Sequence, residues 1–153
     1  MIQKEVIREI LLENRKEVEF QQIVPRNFQM EDFANYVLIG VRRAGKSFML
    51  YQQIQQNLKR GITCDSMLYI NFEDERLMGM TAQELNLILE VHGMMSKERP
   101  ILFLDEIQNI NGWEKFARRL ADNKYRVYIT GSNAKMLGSD VATTLGGRYI
   151  TAI

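Results

Sequence analysis

One eight-residue stretch restricts the folds open to this chain more than any other feature. Gly40-Val41-Arg42-Arg43-Ala44-Gly45-Lys46-Ser47 meets the spacing G-x-x-x-x-G-K-[ST] at every required position. The short apolar run Tyr36–Ile39 precedes it. After it, from Ser47 to Lys59, Leu50, Ile54 and Leu58 recur on one helical face, with Gly61 where a C-terminal cap belongs. A strand, a glycine loop and a helix in that order make a cradle for phosphate. The glycines let the backbone bend so that successive N–H groups point inward. The helix adds the positive end of its dipole. Lys46 brings a full charge for the β- and γ-phosphates, and the Ser47 hydroxyl is placed to ligate Mg²⁺. Phe48 follows the motif directly and is counted with it as nucleotide-binding. Arg42 and Arg43 either shield phosphate, meet a partner or face solvent.

The rest of the chain alternates in the same way. Short apolar runs at Ser66–Asn71, Ile101–Leu104, Arg126–Thr130 and from Tyr149 to Ile153 read as strands. Between them lie helical segments, one opened by the capping-box sequence Thr81-Ala82-Gln83-Glu84 and one running from Trp113 to Leu120. Ile2, Val6, Ile10 and Leu11 predict an opening helix packed on the main body, followed by a looser segment from Glu19 to Phe33. Strands alternating with helices predict parallel pairing, right-handed crossovers and helices on both faces of one sheet. The expectation is a single α/β domain over residues 1–153, with residues 1–34 an N-terminal helix and linker and residues 35–153 the core.

A phosphate loop alone serves kinases, GTPases and ATPases equally. Ile101-Leu102-Phe103-Leu104-Asp105-Glu106 discriminates among them: a buried strand delivers two adjacent carboxylates at its C-terminal end, the edge where open parallel sheets bind ligands. Asp105 is expected to hold Mg²⁺. Glu106, pointing away from its neighbour as successive strand residues do, is expected to meet a water molecule and act as base or orienter in hydrolysis. A small-molecule kinase has no use for that second carboxylate. Downstream, Thr130-Gly131-Ser132-Asn133 ends a strand in small polar residues. Ser132 and Asn133, with Thr130 as a third candidate, either contact the γ-phosphate or simply make a turn. Arg148, after Gly146-Gly147, either reaches nucleotide on a neighbouring subunit or pairs with a local acid. Trp113 reads as a core anchor, and Glu73-Asp74-Glu75 as a solvated loop.

Composition excludes several other classes. Twenty basic against nineteen acidic residues leave a net charge of +1, so no basic excess argues for nucleic acid. Cys64 and His92 each stand alone, which removes disulfide frameworks and Cys/His metal sites. The charged N-terminus is unlike a secretory signal, and no apolar run is long enough for a bilayer, so a cytoplasmic protein is expected.

Together, GVRRAGKS, ILFLDE, ITGSN and GGRY, with YINFEDERL, the Trp-Glu of NGWEK and YITGSNAKML, resemble the AAA-type branch of P-loop ATPases. More narrowly, they resemble a widespread group of bacterial and archaeal ATPases that join this core to a C-terminal domain. The likeness runs from about Asn35 to the end. It implies ATP with Mg²⁺ and a three-layer P-loop NTPase sandwich whose mainly parallel five-stranded sheet has the order 5-1-4-3-2. It also implies Glu106 as the catalytic carboxylate, Ser132 or Asn133 as first sensor, and Gly147-Arg148 as the pair before the fifth strand. Relatives of this kind continue past the position of Ile153 into a helical lid and an effector domain, so the chain on its own is expected to bind nucleotide weakly and turn it over little. The leading expectation is Mg-dependent ATP hydrolysis coupled to a partner domain, with homo-oligomers if Arg148 acts in trans. The alternative is a nucleotide-dependent switch or interaction module that does not hydrolyse.

Overall fold

The computed structural model describes residues 1–23, 34–40 and 45–132, together with the backbone of Arg148–Thr151. Helix α1 (Lys4–Phe20) precedes an alternating series: β1 (Tyr36–Ile39), α2 (Lys46–Lys59), β2 (Met67–Asn71), α3 (Asn86–Met95), β3 (Ile101–Asp105), α4 (Trp113–Asp122), β4 (Val127–Gly131) and β5 (Arg148–Thr151). Every strand pair is parallel, and the sheet runs β2-β3-β4-β1-β5. The parallel α/β sheet expected from the alternation is present.

The period-two side-chain pattern divides the core into two layers. Val37, Ile39, Leu68, Ile70, Leu102, Leu104, Val127 and Ile129 face one way and pack with α3, α4 and the first half of α1. Their sequence neighbours Tyr36, Leu38, Met67, Tyr69, Phe103 and Tyr128 face α2. On that second face register lines up aromatic rings. Tyr128 lies opposite both Tyr36 and Phe103 and stacks on them at centroid distances of 5.6 and 4.6 Å. Trp113 is buried with the α4 stripe Phe116, Ala117 and Leu120, as the anchor reading expects.

Element ends follow local chemistry. Helix α2 starts one residue earlier than its apolar spacing indicates and closes as a Schellman cap: Gly61 (φ +92°) donates to the Leu58 carbonyl and Ile62 to that of Asn57. The capping box is formed, with the Thr81 N–H donating to Glu84 Oε1 at 3.0 Å, but it opens a single 3₁₀ turn before α3. Glu84 also accepts the Ile2 N–H at 2.9 Å, which fastens the start of α1 to the body. The buried stripe of α1 is Ile7, Ile10, Leu11 and Val18, whereas Ile2 and Val6 are only half-buried. Helix α1 covers β2, the outermost strand at that side of the sheet, and its Asn14 amide donates to the Tyr69 carbonyl. No helix among the described residues is long and apolar enough to cross a membrane.

Candidate functional site

At the C-terminal rim of the sheet the first turn of α2 meets the ends of β1, β3 and β4. Gly45 precedes that helix at φ +88°, a left-handed conformation that glycine adopts without strain. It launches Lys46 inward under the rim, where the side chain is 3% exposed and its ammonium makes three contacts among the described residues. Lys46 Nζ donates to the carbonyls of Gly40 at 2.6 Å and Gly131 at 2.9 Å, and lies 3.0 Å from Oε1 of Glu106. Those two carbonyls belong to adjacent strand ends, which the Gly40 N–H to Gly131 carbonyl bond holds together at 3.3 Å. One cation thus joins the phosphate-loop strand, β4 and the residue after β3.

Asp105 is fully buried at the last position of β3. Its carboxylate accepts from three hydroxyls: Ser47 at 2.6 Å and Tyr69 at 2.5 Å on Oδ2, and Thr130 at 2.5 Å on Oδ1. Burial pushes the Asp105 carboxyl above the ordinary range, opposed by those three donors. Among the described residues its partners are neutral hydroxyls, so a hard cation that accepts oxygen ligands suits this position. The Ser47–Asp105 pair supplies such oxygens. No group of three His, Cys, Asp or Glu residues among those described could cage a metal unaided. Two protein oxygens are the number that Mg²⁺ characteristically takes, its shell being completed by water and substrate phosphates.

Glu106 departs from the expected strand alternation. Strand β3 ends at Asp105, and Glu106 has left-handed backbone angles, φ 54° and ψ 47°. That turn, rather than strand parity, aims its side chain at the rim. The carboxylate meets Lys46 on one oxygen, while the other accepts from Gln108 at 2.6 Å and Ser132 at 3.2 Å. Its backbone N–H donates to Thr130 Oγ1 at 2.9 Å. Thr130 therefore bridges both acids, receiving from the backbone of one and donating to the carboxylate of the other.

The residues predicted from sequence are thus partly gathered. Gly40, Gly45, Lys46, Ser47, Asp105, Glu106, Thr130 and Ser132 share one rim. Phe48 is on the first turn of α2 but points outward, 45% exposed, with its ring edge-on to Tyr51. Val41, Arg42, Arg43, Ala44 and Asn133 lie outside the described residues, as does the side chain of Arg148, whose backbone opens β5 beside β1. The three-hydroxyl arrangement adds Tyr69 and Glu106 adds Gln108, neither of which the motif spacing singles out. No linear signal marks the first, whose place depends on strand register, whereas the short step from Glu106 to Gln108 was available for the second.

A family described as AAA domain matches residues 32–153. An uncharacterized protein of Methanocaldococcus jannaschii is 38% identical over 153 residues, covering 98% of this chain and 33% of that protein. An uncharacterized protein of Haemophilus influenzae is 38% identical over 133 residues, covering 85% of this chain and 32% of that protein. The chain spans about a third of the length of these curated relatives.

Proposed function

The chain belongs to the AAA domain family and is a nucleotide-binding, ATPase-like domain, and from that premise we propose that it binds ATP with Mg²⁺ and hydrolyses it. The observation that carries this reading is the convergence on Asp105: the Ser47 hydroxyl stands 2.6 Å from its carboxylate, with the Lys46–Glu106 pair beside it on the same rim. Ser47 and Asp105 would hold Mg²⁺, which supplies charge neutralisation for the phosphates. Lys46 exchanges backbone carbonyls and a carboxylate for phosphate oxygens, an exchange among acceptors of one kind. That releases Glu106 to orient or deprotonate a water molecule. Ser132, already bonded to Glu106, is the candidate favoured for reporting the γ-phosphate over Thr130, whose hydroxyl is taken up by both acids, with Asn133 next in sequence.

The sheet order β5-β1-β4-β3-β2 supports the three-layer nucleotide-binding architecture. The proposed cycle would couple nucleotide state to a partner domain, with Arg148 reaching a neighbouring subunit. A non-hydrolytic switch is the second reading, and the Lys46–Glu106 contact favours it by engaging the carboxylate that hydrolysis needs.

The test is a nucleotide titration with and without Mg²⁺. Because Lys46 offsets the buried charge of Glu106, Lys46→Ala is compared in the Glu106→Gln background, where the carboxylate that Lys46 contacts is gone. Glu106→Gln should retain ATP, and Lys46→Ala on top of it should lose it. Equal affinity in the two proteins removes the phosphate-binding role of Lys46 and the reading with it.

A further inference from the structure

Tyr69 is an expensive residue for its position if it only fills space. It belongs to the layer between β2 and α2, among Met67, Phe103 and Ile54, where a phenylalanine would pack without a hydroxyl to satisfy. Register places Tyr69 opposite Phe103, two positions before Asp105, so only a long side chain directed along the strand spans the gap. Its hydroxyl ends 2.5 Å from Oδ2 of Asp105. The Tyr51 hydroxyl, from the helix that carries Ser47, lies 3.3 Å from that of Tyr69, and the two rings meet edge to face at 5.3 Å. Hydroxyls from α2, β2 and β4 therefore meet at one carboxylate of β3, and the one from β2 is braced by α2.

We propose that Tyr69 is a positioning residue for the divalent-cation site, its hydroxyl fixing the orientation of Asp105 beside Ser47 with Tyr51 as its brace. The proposal rests on the Mg-nucleotide reading above. Ser47 and Tyr69 share Oδ2, so when the Ser47 oxygen turns to a cation, Tyr69 is the donor that stays on that oxygen. Thr130 holds the other. A carboxylate held on both oxygens keeps one orientation, and removal of such outer partners typically lowers metal affinity about 10–100-fold.

The experiment measures binding of a fluorescently labelled ATP analogue first in EDTA and then across a Mg²⁺ series, for the unaltered chain, Tyr69→Phe and Tyr51→Phe. Thermal melts establish that each variant is folded. Tyr69→Phe should raise the Mg²⁺ concentration for half-maximal enhancement about tenfold and leave affinity in EDTA unchanged. Tyr51→Phe, one contact further out, should shift it in the same direction by about two- to threefold, and it decides the matter should Tyr69→Phe not fold. A loss of affinity in EDTA equal to that in Mg²⁺ makes Tyr69 a packing residue and overturns the proposal. So does an unmoved Mg²⁺ midpoint when the unaltered chain responds to Mg²⁺. If the unaltered chain binds nucleotide with no response to Mg²⁺, the cation site itself falls, and this inference falls with it.

Discussion

The ammonium of Lys46 and the carboxylate of Glu106 stand 3.0 Å apart, with side chains 3% and 6% exposed. A buried ion pair is a weak source of net stability, but removing one member strands the other, typically at about 3–5 kcal/mol. Lys46→Ala should therefore lower the urea midpoint strongly with an unchanged m-value. Lys46→Ala combined with Glu106→Gln should recover at least about 1–2 kcal/mol of that loss, since contacting residues couple. Losses that simply add would mean that the two charges do not compensate each other.

Glu106→Gln also separates chemistry from binding. The amide retains an oxygen for Lys46 yet accepts no proton from water. General-base removal costs roughly 10²–10⁴ in rate, so single-turnover phosphate release should fall by that factor while nucleotide affinity holds. Release at the unaltered rate would assign water activation elsewhere and leave Glu106 a partner of Lys46 alone.

Much of this site is legible because its chemistry is local. G-x-x-x-x-G-K-[ST] fixes backbone shape, charge and hydroxyl within eight residues, and the Asp105-Glu106 pair marks a strand end by itself. Period and length likewise mark the elements: each described strand and helix lies within a few residues of its apolar pattern. What escapes a linear reading depends on register and on single backbone angles. Nothing in the order of residues says that Tyr69 stands two positions behind Asp105 on the neighbouring strand. Nor does it say that Glu106 takes a left-handed turn, so strand parity gave the wrong reason for its direction. Ile2, Val6, Ile10 and Leu11 all reach the core, the first two only half-buried, but helical spacing did not single out Ile7 and Val18, which tertiary contacts of α1 with the sheet, α2 and α3 bury.

Thr130 should prove more sensitive than a small strand-end residue normally is. Its hydroxyl donates to Asp105 and accepts from the Glu106 backbone, both in the buried interior. Thr130→Val keeps the shape and deletes both bonds, leaving a buried N–H and a buried carboxylate each short of a partner. At about 1–3 kcal/mol for a buried group left unsatisfied, the variant should lose roughly 2–4 kcal/mol in urea unfolding, whereas Thr130→Ser should stay within about 1 kcal/mol. Equal tolerance of both substitutions would mean that the hydroxyl is dispensable and that the two acids are held by other groups.

Away from the site, Arg76 ties α1 to the loop after β2 and gives the fold a measurable acid limb. Its guanidinium takes Asp74 on two nitrogens, at 2.8 and 3.0 Å, and Glu13 at 2.8 Å. Hydrogen bonding to Arg76 is the largest influence on both carboxyls and holds each below its ordinary value. A carboxyl lowered in the folded state binds its proton more readily in the unfolded chain. Its contribution is therefore complete above the ordinary carboxylate range and disappears as pH falls through the folded value. Arg76→Gln should thus be slightly less stable at pH 7, the effect kept small because all three groups are partly or largely solvated. The gap between the two proteins should close as pH falls below the ordinary carboxylate range, and should narrow at pH 7 when salt is raised to about 1 M. Urea midpoints across that pH series measure it. A gap that persists undiminished at the acid end would assign the role of Arg76 to packing of its aliphatic stem rather than to charge.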